Sequence, residues 1–263
     1  MNVVAIVDLA GERQQLADGL AKALGLTRYE ALQRISGPAG TGPLVAGVFA
    51  ERGQAENLLG RLVSGGFRAM LLTDEDMRAE SGMRSAKTFH FGENEFQVEF
   101  YSSSGAIAPL EKVLSLPYPG IRLIVRGTRT STGTSVETSM QRKLSLGRAV
   151  LSGGLVFSKK EKTVRETATG RREGFANLYA GGGLCVTLLE NGLRYESLGP
   201  ALGFSNSANF SYLVGELRRR CRQARYDERL LNKFSQSSML GPLLDPAQYP
   251  YVATALISRA LLE

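Results

Sequence analysis

Apolar positions in the first 75 residues change from strand-like runs to helix-like spacing and back. The run VVAIV at residues 3–7 predicts a short strand, and the leucines after it recur every four residues, which predicts a helix: Leu16, Leu20 and Leu24. Gly25 is predicted to end that helix, since glycine readily adopts the left-handed backbone of a helix end. Thr27 and Glu30 have the spacing of a capping box, so a second helix is predicted to start there.

Two more strands and a third helix are predicted before residue 75. LVAGVF at residues 44–49 and FRAMLL at residues 67–72 are apolar runs of strand length. Between them, five apolar residues form a helical stripe: Ala55, Leu58, Leu59, Leu62 and Val63. The predicted order is therefore β-α-α-β-α-β, which is a compact α/β sandwich.

This order, with LGL leading into a Glu-Ala helix and AENLLGRLVSGGFRAMLL after it, resembles the C-terminal domain of the bacterial ribosomal stalk protein. The Clp protease adaptor that delivers N-degron substrates shares that fold. The resemblance covers roughly residues 1–75 and implies the same sandwich scaffold.

The functional sites of those two families are not matched by the residues found here. In the stalk protein the helix after LGL is lysine-rich and contacts translation factors, whereas Lys22 is the only lysine of residues 1–75. The adaptor's peptide pocket uses an acidic cluster and a histidine, and residues 1–75 contain no histidine. The resemblance therefore implies a scaffold, with at most a protein-docking face at Arg28, Tyr29 and Gln33.

A linker and then a β-rich domain are predicted after residue 75. The segment TDEDMRAESGMRSA is charged and lacks periodicity, so residues 76–86 are predicted to be a linker. TFHFGENEFQVEFY alternates apolar and polar residues on both sides of GEN, which is the pattern of a β-hairpin. Further strands are predicted at residues 121–127, 175–179 and 185–190.

Helices are predicted to close the chain. SANFSYLVGELRRRC predicts a helix capped by Ser207, and YDERLLNKF predicts a second one. In the last segment, Asp245 is the predicted cap and Pro246 the predicted first helical residue. The whole chain is therefore predicted to be an α+β protein, with the sandwich at residues 1–75 and the β-rich domain at residues 87–263. Several strands followed by a closing helix also suggest a pleckstrin-homology-like topology.

An insert of different composition interrupts the second domain at residues 128–173. Eight of the twelve residues at 128–139 are Ser or Thr, which favours an exposed ribbon or a disordered loop. LSLGRAVLSGGLVF at residues 144–157 is apolar, and its candidate contact residues are Leu146, Val150, Leu151, Leu155 and Phe157. Either this apolar tip folds back on the protein's own core, or the insert is an arm whose tip enters a partner.

The net charge of +7 is concentrated in the same insert. Between residues 142 and 172, only Glu161 and Glu166 oppose nine basic residues: Arg142, Lys143, Arg148, Lys159, Lys160, Lys162, Arg165, Arg171 and Arg172. A local excess of this kind predicts one surface that binds an anion or a partner.

Three kinds of partner fit that surface. A protein partner or self-association is the first expectation, and an anionic membrane is the main alternative, in which each lysine near the surface contributes about 1 kcal/mol. Nucleic acid is a weaker alternative, because Phe157 is the only aromatic residue of the segment and base stacking needs aromatic side chains. No recognised nucleic-acid-binding motif accompanies the basic residues.

The residues that usually carry catalysis or bind metals are sparse. His90 is the only histidine and falls on the polar face of the predicted hairpin. Cys185 and Cys221 lack metal-site spacing, and Cys185 is expected to pack as a small hydrophobic residue. No phosphate-binding loop, dinucleotide fingerprint or nucleophile elbow is present, so no catalytic residue, metal, cofactor or small-molecule substrate is predicted.

Length and composition complete the sequence-based prediction. The 263 residues, 43% hydrophobic and 22% charged, are typical of a globular protein with one large or two modest domains. No apolar run reaches the ~18 residues of a membrane span, and the first residues lack the pattern of a signal peptide. Two cysteines fit a reducing compartment. We therefore expect a cytoplasmic, non-enzymatic binding or scaffolding protein that uses the 128–173 insert, while an enzyme built on scattered carboxylates remains a third alternative.

Overall fold

Residues 1–36, 42–101, 112–144, 158–244 and 250–262 are described by the computed structural model of the chain. At residues 131–144, 158–171 and 250 only the backbone is described. Helices and strands are both abundant and the strands form two sheets, so the predicted α+β class is confirmed.

The N-terminal part has the predicted β-α-α-β-α-β order. Its elements are β1 Asn2–Ile6, α1 Arg13–Leu24, α2 Arg28–Ile35, β2 Leu44–Phe49, α3 Arg52–Ser64 and β3 Ala69–Leu72. The strands form an antiparallel sheet in the order β2-β1-β3, and the three helices pack on one face of it. The core between them is apolar and includes Val4, Ile6, Leu20, Leu58 and Leu62.

Both helix-end predictions in this region are confirmed. Gly25 ends α1 with φ 68°, in the left-handed region that favours glycine. The Thr27 hydroxyl accepts a hydrogen bond from the Glu30 N–H at 3.2 Å, and the Glu30 carboxylate accepts one from the Thr27 N–H at 2.8 Å. The reciprocal bonds of a capping box therefore start α2.

The predicted linker at residues 76–86 is wrong, because helix α4 Asp74–Ser81 occupies most of it and strand β4 starts at Arg84. Thr73 caps α4 in a second capping box with Asp76. Acidic residues fill the first turn, where their negative charge interacts favourably with the positive end of the helix dipole. Met77 alone is buried in this two-turn helix, so its sequence shows no apolar periodicity.

Seven strands form the second sheet in the order β10-β7-β8-β9-β4-β5-β6. Their bounds are β4 Arg84–Phe91, β5 Glu95–Phe100, β6 Val113–Pro117, β7 Ile121–Leu144, β8 Ser158–Ala180, β9 Cys185–Leu189 and β10 Arg225–Leu230. The predicted hairpin is present, with Phe91 opposite Phe96. The predicted strands at residues 121–127 and 175–179 fall within β7 and β8, and the one at residues 185–190 matches β9 except for its last residue. The pleckstrin-homology-like topology is not confirmed.

The C-terminal predictions need three corrections. Helix α5 Asn206–Arg220 is capped by Ser205, whose hydroxyl accepts from the Ala208 N–H, and not by Ser207. The predicted helix YDERLLNKF is divided between strand β10 and the first turn of helix α6 Lys233–Leu240. β10 pairs in parallel with β7, and this tertiary pairing outweighs the helical spacing of its apolar residues. Helix α7 is Pro250–Leu262, and the predicted cap at Asp245 and Pro246 lies outside the described residues.

Apolar cores lie on both faces of the seven-stranded sheet. On one face α5 buries Phe210, Leu213, Val214 and Leu217. On the other face, one continuous core joins the sheet to α4, α6, α7 and the three-stranded sheet. Residues 1–129 and 173–263 accordingly form one compact unit, and residues 130–172 form a second. The region around residue 80 thus lies inside the first unit and does not separate two units.

Close approach between neighbouring strands makes Gly127 hard to replace. A Cβ atom at Gly127 would lie 2.5 Å from the Phe175 ring and 2.6 Å from the Leu230 Cβ. We therefore expect Gly127→Ala to lower the free energy of unfolding by about 1–3 kcal/mol. In the control Gly60→Ala, in α3, the added methyl meets no atom within 4 Å, so a gain of about 0.5–1 kcal/mol is expected. Urea denaturation measures both, and equal stability of the two variants would contradict the prediction.

Candidate functional site

The predicted basic surface falls on two neighbouring strands. Backbone positions on β7 and β8 hold eight of its nine basic residues: Arg142 and Lys143 on β7, and Lys159, Lys160, Lys162, Arg165, Arg171 and Arg172 on β8. Arg148 and the apolar tip residues Leu146, Val150, Leu151, Leu155 and Phe157 lie outside the described residues. The Ser/Thr-rich stretch at 128–139 is part of strand β7, which favours the ribbon over the loop.

The part of β7 after Arg129 and the part of β8 before Glu173 belong to the second compact unit, Thr130–Arg172. The unit contains nine basic and three acidic residues, a net charge of +6 out of the +7 of the whole chain. β10 pairs with β7 at residues 123–127, and β9 pairs with β8 at residues 175–179, so both pairings lie within the first unit. Within the described part of the second unit, the outer edges of β7 and β8 therefore carry no pairing with β9 or β10.

An ion pair links β7 to β8 at the two residues where the first unit ends and resumes, Arg129 and Glu173. Arg129 Nε and Nη2 each lie 2.8 Å from Oε1 of Glu173. The Glu173 side chain is only 7% exposed, whereas that of Arg129 is 36% exposed. The pair joins the two strands and leaves part of the Arg129 side chain accessible.

A cavity of about 230 Å³ with a mixed polar and apolar lining lies between this part of the sheet and helices α4 and α7. Six elements contribute polar side chains to its lining: Glu80 from α4, Ser85 from β4, Arg129 from β7, Asn177 from β8, Thr187 from β9 and Thr254 from α7. Phe175 and Met83 add apolar surface to it. Sequence reasoning missed this cavity, because its residues are spread over most of the chain.

Glu80 is the charged group at the α4 side of the cavity. Its Oε2 accepts a hydrogen bond from the Tyr179 hydroxyl at 2.8 Å, and its Oε1 accepts one from the Ser258 hydroxyl at 2.7 Å. Burial raises the pKa of the Glu80 carboxyl, and hydrogen bonds from Ser258, Tyr179 and Thr254 offset only part of that effect. A carboxyl held this way can exchange a proton or bind a cationic group.

Strand register places the neutral polar residues beside Glu80. Asn177 and Tyr179 project to the same face of β8 because side chains alternate along a strand. Asn177 lies opposite Thr187 of β9, and the Thr187 hydroxyl donates to Asn177 Oδ1 at 3.0 Å. Both are almost fully buried. Their bond satisfies two polar groups that would otherwise be costly at the sheet surface.

The cysteines and the histidine are not arranged for catalysis. Burial and the nearby Glu80 charge raise the pKa of Cys185 to about 11, and burial raises that of Cys221 to about 11. Both thiols are therefore protonated near neutral pH and are weak nucleophiles. His90 is exposed on the hairpin. Among the described residues, no group of three or more His, Cys, Asp or Glu is placed to hold a metal ion.

The expected docking face on α2 is partly assembled. Tyr29 is 70% exposed, and its hydroxyl accepts a hydrogen bond from Gln33 at 2.8 Å. Both residues line a groove of about 560 Å³ whose far side includes Ser237, Ser238 and Pro242. Arg28 instead pairs with Asp18 at 2.9 Å. The groove therefore contains two of the three residues expected there.

Comparisons with known proteins give no relative: no family model, curated protein or solved structure matches the chain. The resemblance of residues 1–75 to the ribosomal stalk domain thus stays a prediction from sequence pattern. Over the residues that the structure describes, no helix combines the length and the apolar character needed to cross a bilayer.

The raised pKa of Glu80 predicts a pH dependence of stability. Because the folded protein holds this proton more tightly than an ordinary Glu of pKa 4.5, the stabilising contribution is complete below pH 4.5 and is lost as pH rises through the folded-state pKa. Glu80→Gln removes this titration. We therefore expect its free energy of unfolding, relative to wild type, to increase with pH above 4.5, with a limiting slope of about 1.4 kcal/mol per pH unit.

Denaturant titrations of both proteins between acidic and neutral pH measure that difference. The control is Ser81→Ala, the next residue of α4, which has no ionisable side chain and should differ from wild type by the same amount at every pH. A flat Glu80→Gln difference would show that the carboxyl titrates alike in the folded and unfolded chains.

Proposed function

We propose that this protein is a non-enzymatic binding protein whose contact element is the unit of residues 130–172. Its partner is another protein with an acidic surface. One observation carries the proposal: nearly all of the net charge belongs to a segment that forms a compact unit of its own, built on two long neighbouring strands.

The strand edges of this unit favour a protein partner. Within its described residues, the outer edges of β7 and β8 are not paired with β9 or β10. An open edge presents backbone N–H and C=O groups to which a strand of another protein can add. A lone two-stranded ribbon is also only marginally stable in water, so a partner that covers it adds stability.

Charge and composition support the same partner. A net charge of +6 in 43 residues attracts an acidic protein over long range and speeds its association. The apolar sequence at residues 144–157 gains from removal from water, which a protein surface can provide. The single aromatic residue, Phe157, gives little capacity to stack nucleic-acid bases.

Three variants test this function. In the first, residues 130–172 are replaced by an Asn-Gly turn between Arg129 and Glu173, whose side chains are 2.8 Å apart. In the second, Lys159, Lys160 and Lys162 are changed to Glu. The matched control makes the same change of charge at three exposed residues of the first unit: Arg13→Glu, Lys22→Glu and Arg61→Glu.

The four chains are first compared by quantitative crosslinking in a lysate of the source cells. Each captured protein is then purified, and its binding to the four chains is measured. We expect wild type and control to bind the same acidic protein, the turn variant to lose it, and the lysine variant to bind about tenfold or more weakly with a reduced salt dependence. Circular dichroism should show that the turn variant remains folded.

Two further measurements can overturn the proposal. Co-sedimentation with phosphatidylglycerol vesicles that is lost in the turn variant would assign the unit to membranes. Light scattering that shows a doubled mass, again lost in the turn variant, would replace the acidic partner with a second copy of this chain. Equal binding of all four chains to the captured protein would exclude the unit as the contact element.

A further inference from the structure

The cavity beside Glu80 has two side chains of opposite charge in its lining. Glu80 enters from α4 and Arg129 from β7, and both line the cavity of about 230 Å³. No described residue of the second unit lines it, so the inference does not depend on the proposed contact element.

The Glu80 carboxylate keeps capacity to accept from a ligand. It accepts one hydrogen bond on each oxygen from the protein hydroxyls of Tyr179 and Ser258, and Thr254 adds a further favourable contact. An ionised carboxylate has about four lone-pair sites, so these bonds do not exhaust it. The remaining sites suit a donor with several hydrogens, of which an ammonium group is the strongest.

Arg129 likewise keeps capacity to donate. Its Nε and Nη2 both contact the same oxygen of Glu173. A guanidinium has five N–H donors in a planar fork, and the Arg129 side chain is 36% exposed. A ligand carboxylate can therefore bind the guanidinium while the ion pair with Glu173 stays in place.

Size and lining restrict the ligand to a small molecule. At about 230 Å³, the cavity is below the usual range for drug-sized ligands. Asn177, Thr187 and Thr254 offer neutral polar groups, while Met83 and Phe175 offer apolar contact. A compact molecule with one cationic end, one anionic end and a short side chain matches these surfaces.

We propose that this cavity binds a free α-amino acid, with its ammonium group on Glu80 and its carboxylate on Arg129. The opposite charges of the ligand meet opposite charges of the protein, and a zwitterion adds no net charge to the site. Such a site makes the protein a sensor or carrier of an amino acid in addition to its contacts with a protein partner.

The first test uses the wild-type chain alone. The twenty common amino acids are screened by thermal shift, and the best is titrated by calorimetry beside two analogues that each lack one charge: its amide, without the carboxylate, and its deaminated acid, without the ammonium group. We expect one or a few amino acids to raise the melting temperature, and each analogue to bind about tenfold or more weakly. Glycerol and glucose should not bind.

Two variants then assign each charge to its residue. Glu80→Gln should weaken binding of the amino acid about tenfold or more but leave the deaminated acid unchanged, since that analogue makes no ammonium contact. Arg129→Gln should weaken the amino acid similarly but leave the amide unchanged. Glu75→Gln and Arg61→Gln, which do not line the cavity, are the controls and should bind like wild type.

Several results would overturn the proposal. The proposal is wrong if the wild type binds no amino acid, if the amino acid and both analogues bind equally well, or if glucose or glycerol binds instead. The analogue series needs no mutation, so the test stands even where a variant fails to fold. The two proposals can fail separately, because the turn variant should lose the protein partner but still bind the amino acid.

Discussion

The structure depends on covering both faces of one seven-stranded sheet. One face packs against helix α5, with its stripe of four buried apolar residues, and against Leu193, Tyr195 and Leu198. The opposite face needs four structures to cover it: α4, α6, α7 and the second face of the three-stranded sheet. The N-terminal sandwich therefore cannot be an independent module on a tether, because Val3, Ala5, Val45 and Leu72 are buried in the same core as Leu123 and Val125. Burial of that apolar surface is the main stabilising term, and it makes the two sheets one unit.

That shared core explains why a carboxylate is found where apolar packing would be expected. α4 lies against α7, and the ion pair of Asp76 with Arg259 helps to hold the two helices together. Glu80, one turn later on α4, is thereby directed at Tyr179 and Ser258. A buried carboxyl costs free energy even when it is hydrogen-bonded, and an apolar residue of similar size would often stabilise the same position. Its presence beside an open cavity therefore favours a role in binding over a role in stability.

Sequence reasoning succeeded where structure is local and failed where it is not. The first three strands and helices are marked by apolar runs, by Gly25 and by the Thr27 capping box, all of which act within a few residues. Helix α4 carries an equally local signal, the capping box of Thr73 and Asp76, which could have identified it despite the lack of periodicity. β10 has apolar residues at helical spacing, and only its pairing with β7, about 100 residues earlier, makes it a strand. The cavity is wholly non-local, since Tyr179 is 99 residues and Ser258 178 residues from Glu80.

The two proposed activities depend on different charged groups of the chain. Residues 130–172 contain nine of the 32 basic residues and three of the 25 acidic residues of the chain. The rest of the chain therefore has 23 basic and 22 acidic residues. The first unit is therefore nearly neutral and attracts polyanions only weakly over long distances. The attraction to an acidic partner comes from residues 130–172. A zwitterion, in contrast, has no net charge for such a field to attract or repel, and its binding rests on two short-range contacts inside the cavity. Salt should therefore weaken partner binding strongly and affect the cavity little, because screening acts mainly on exposed charges.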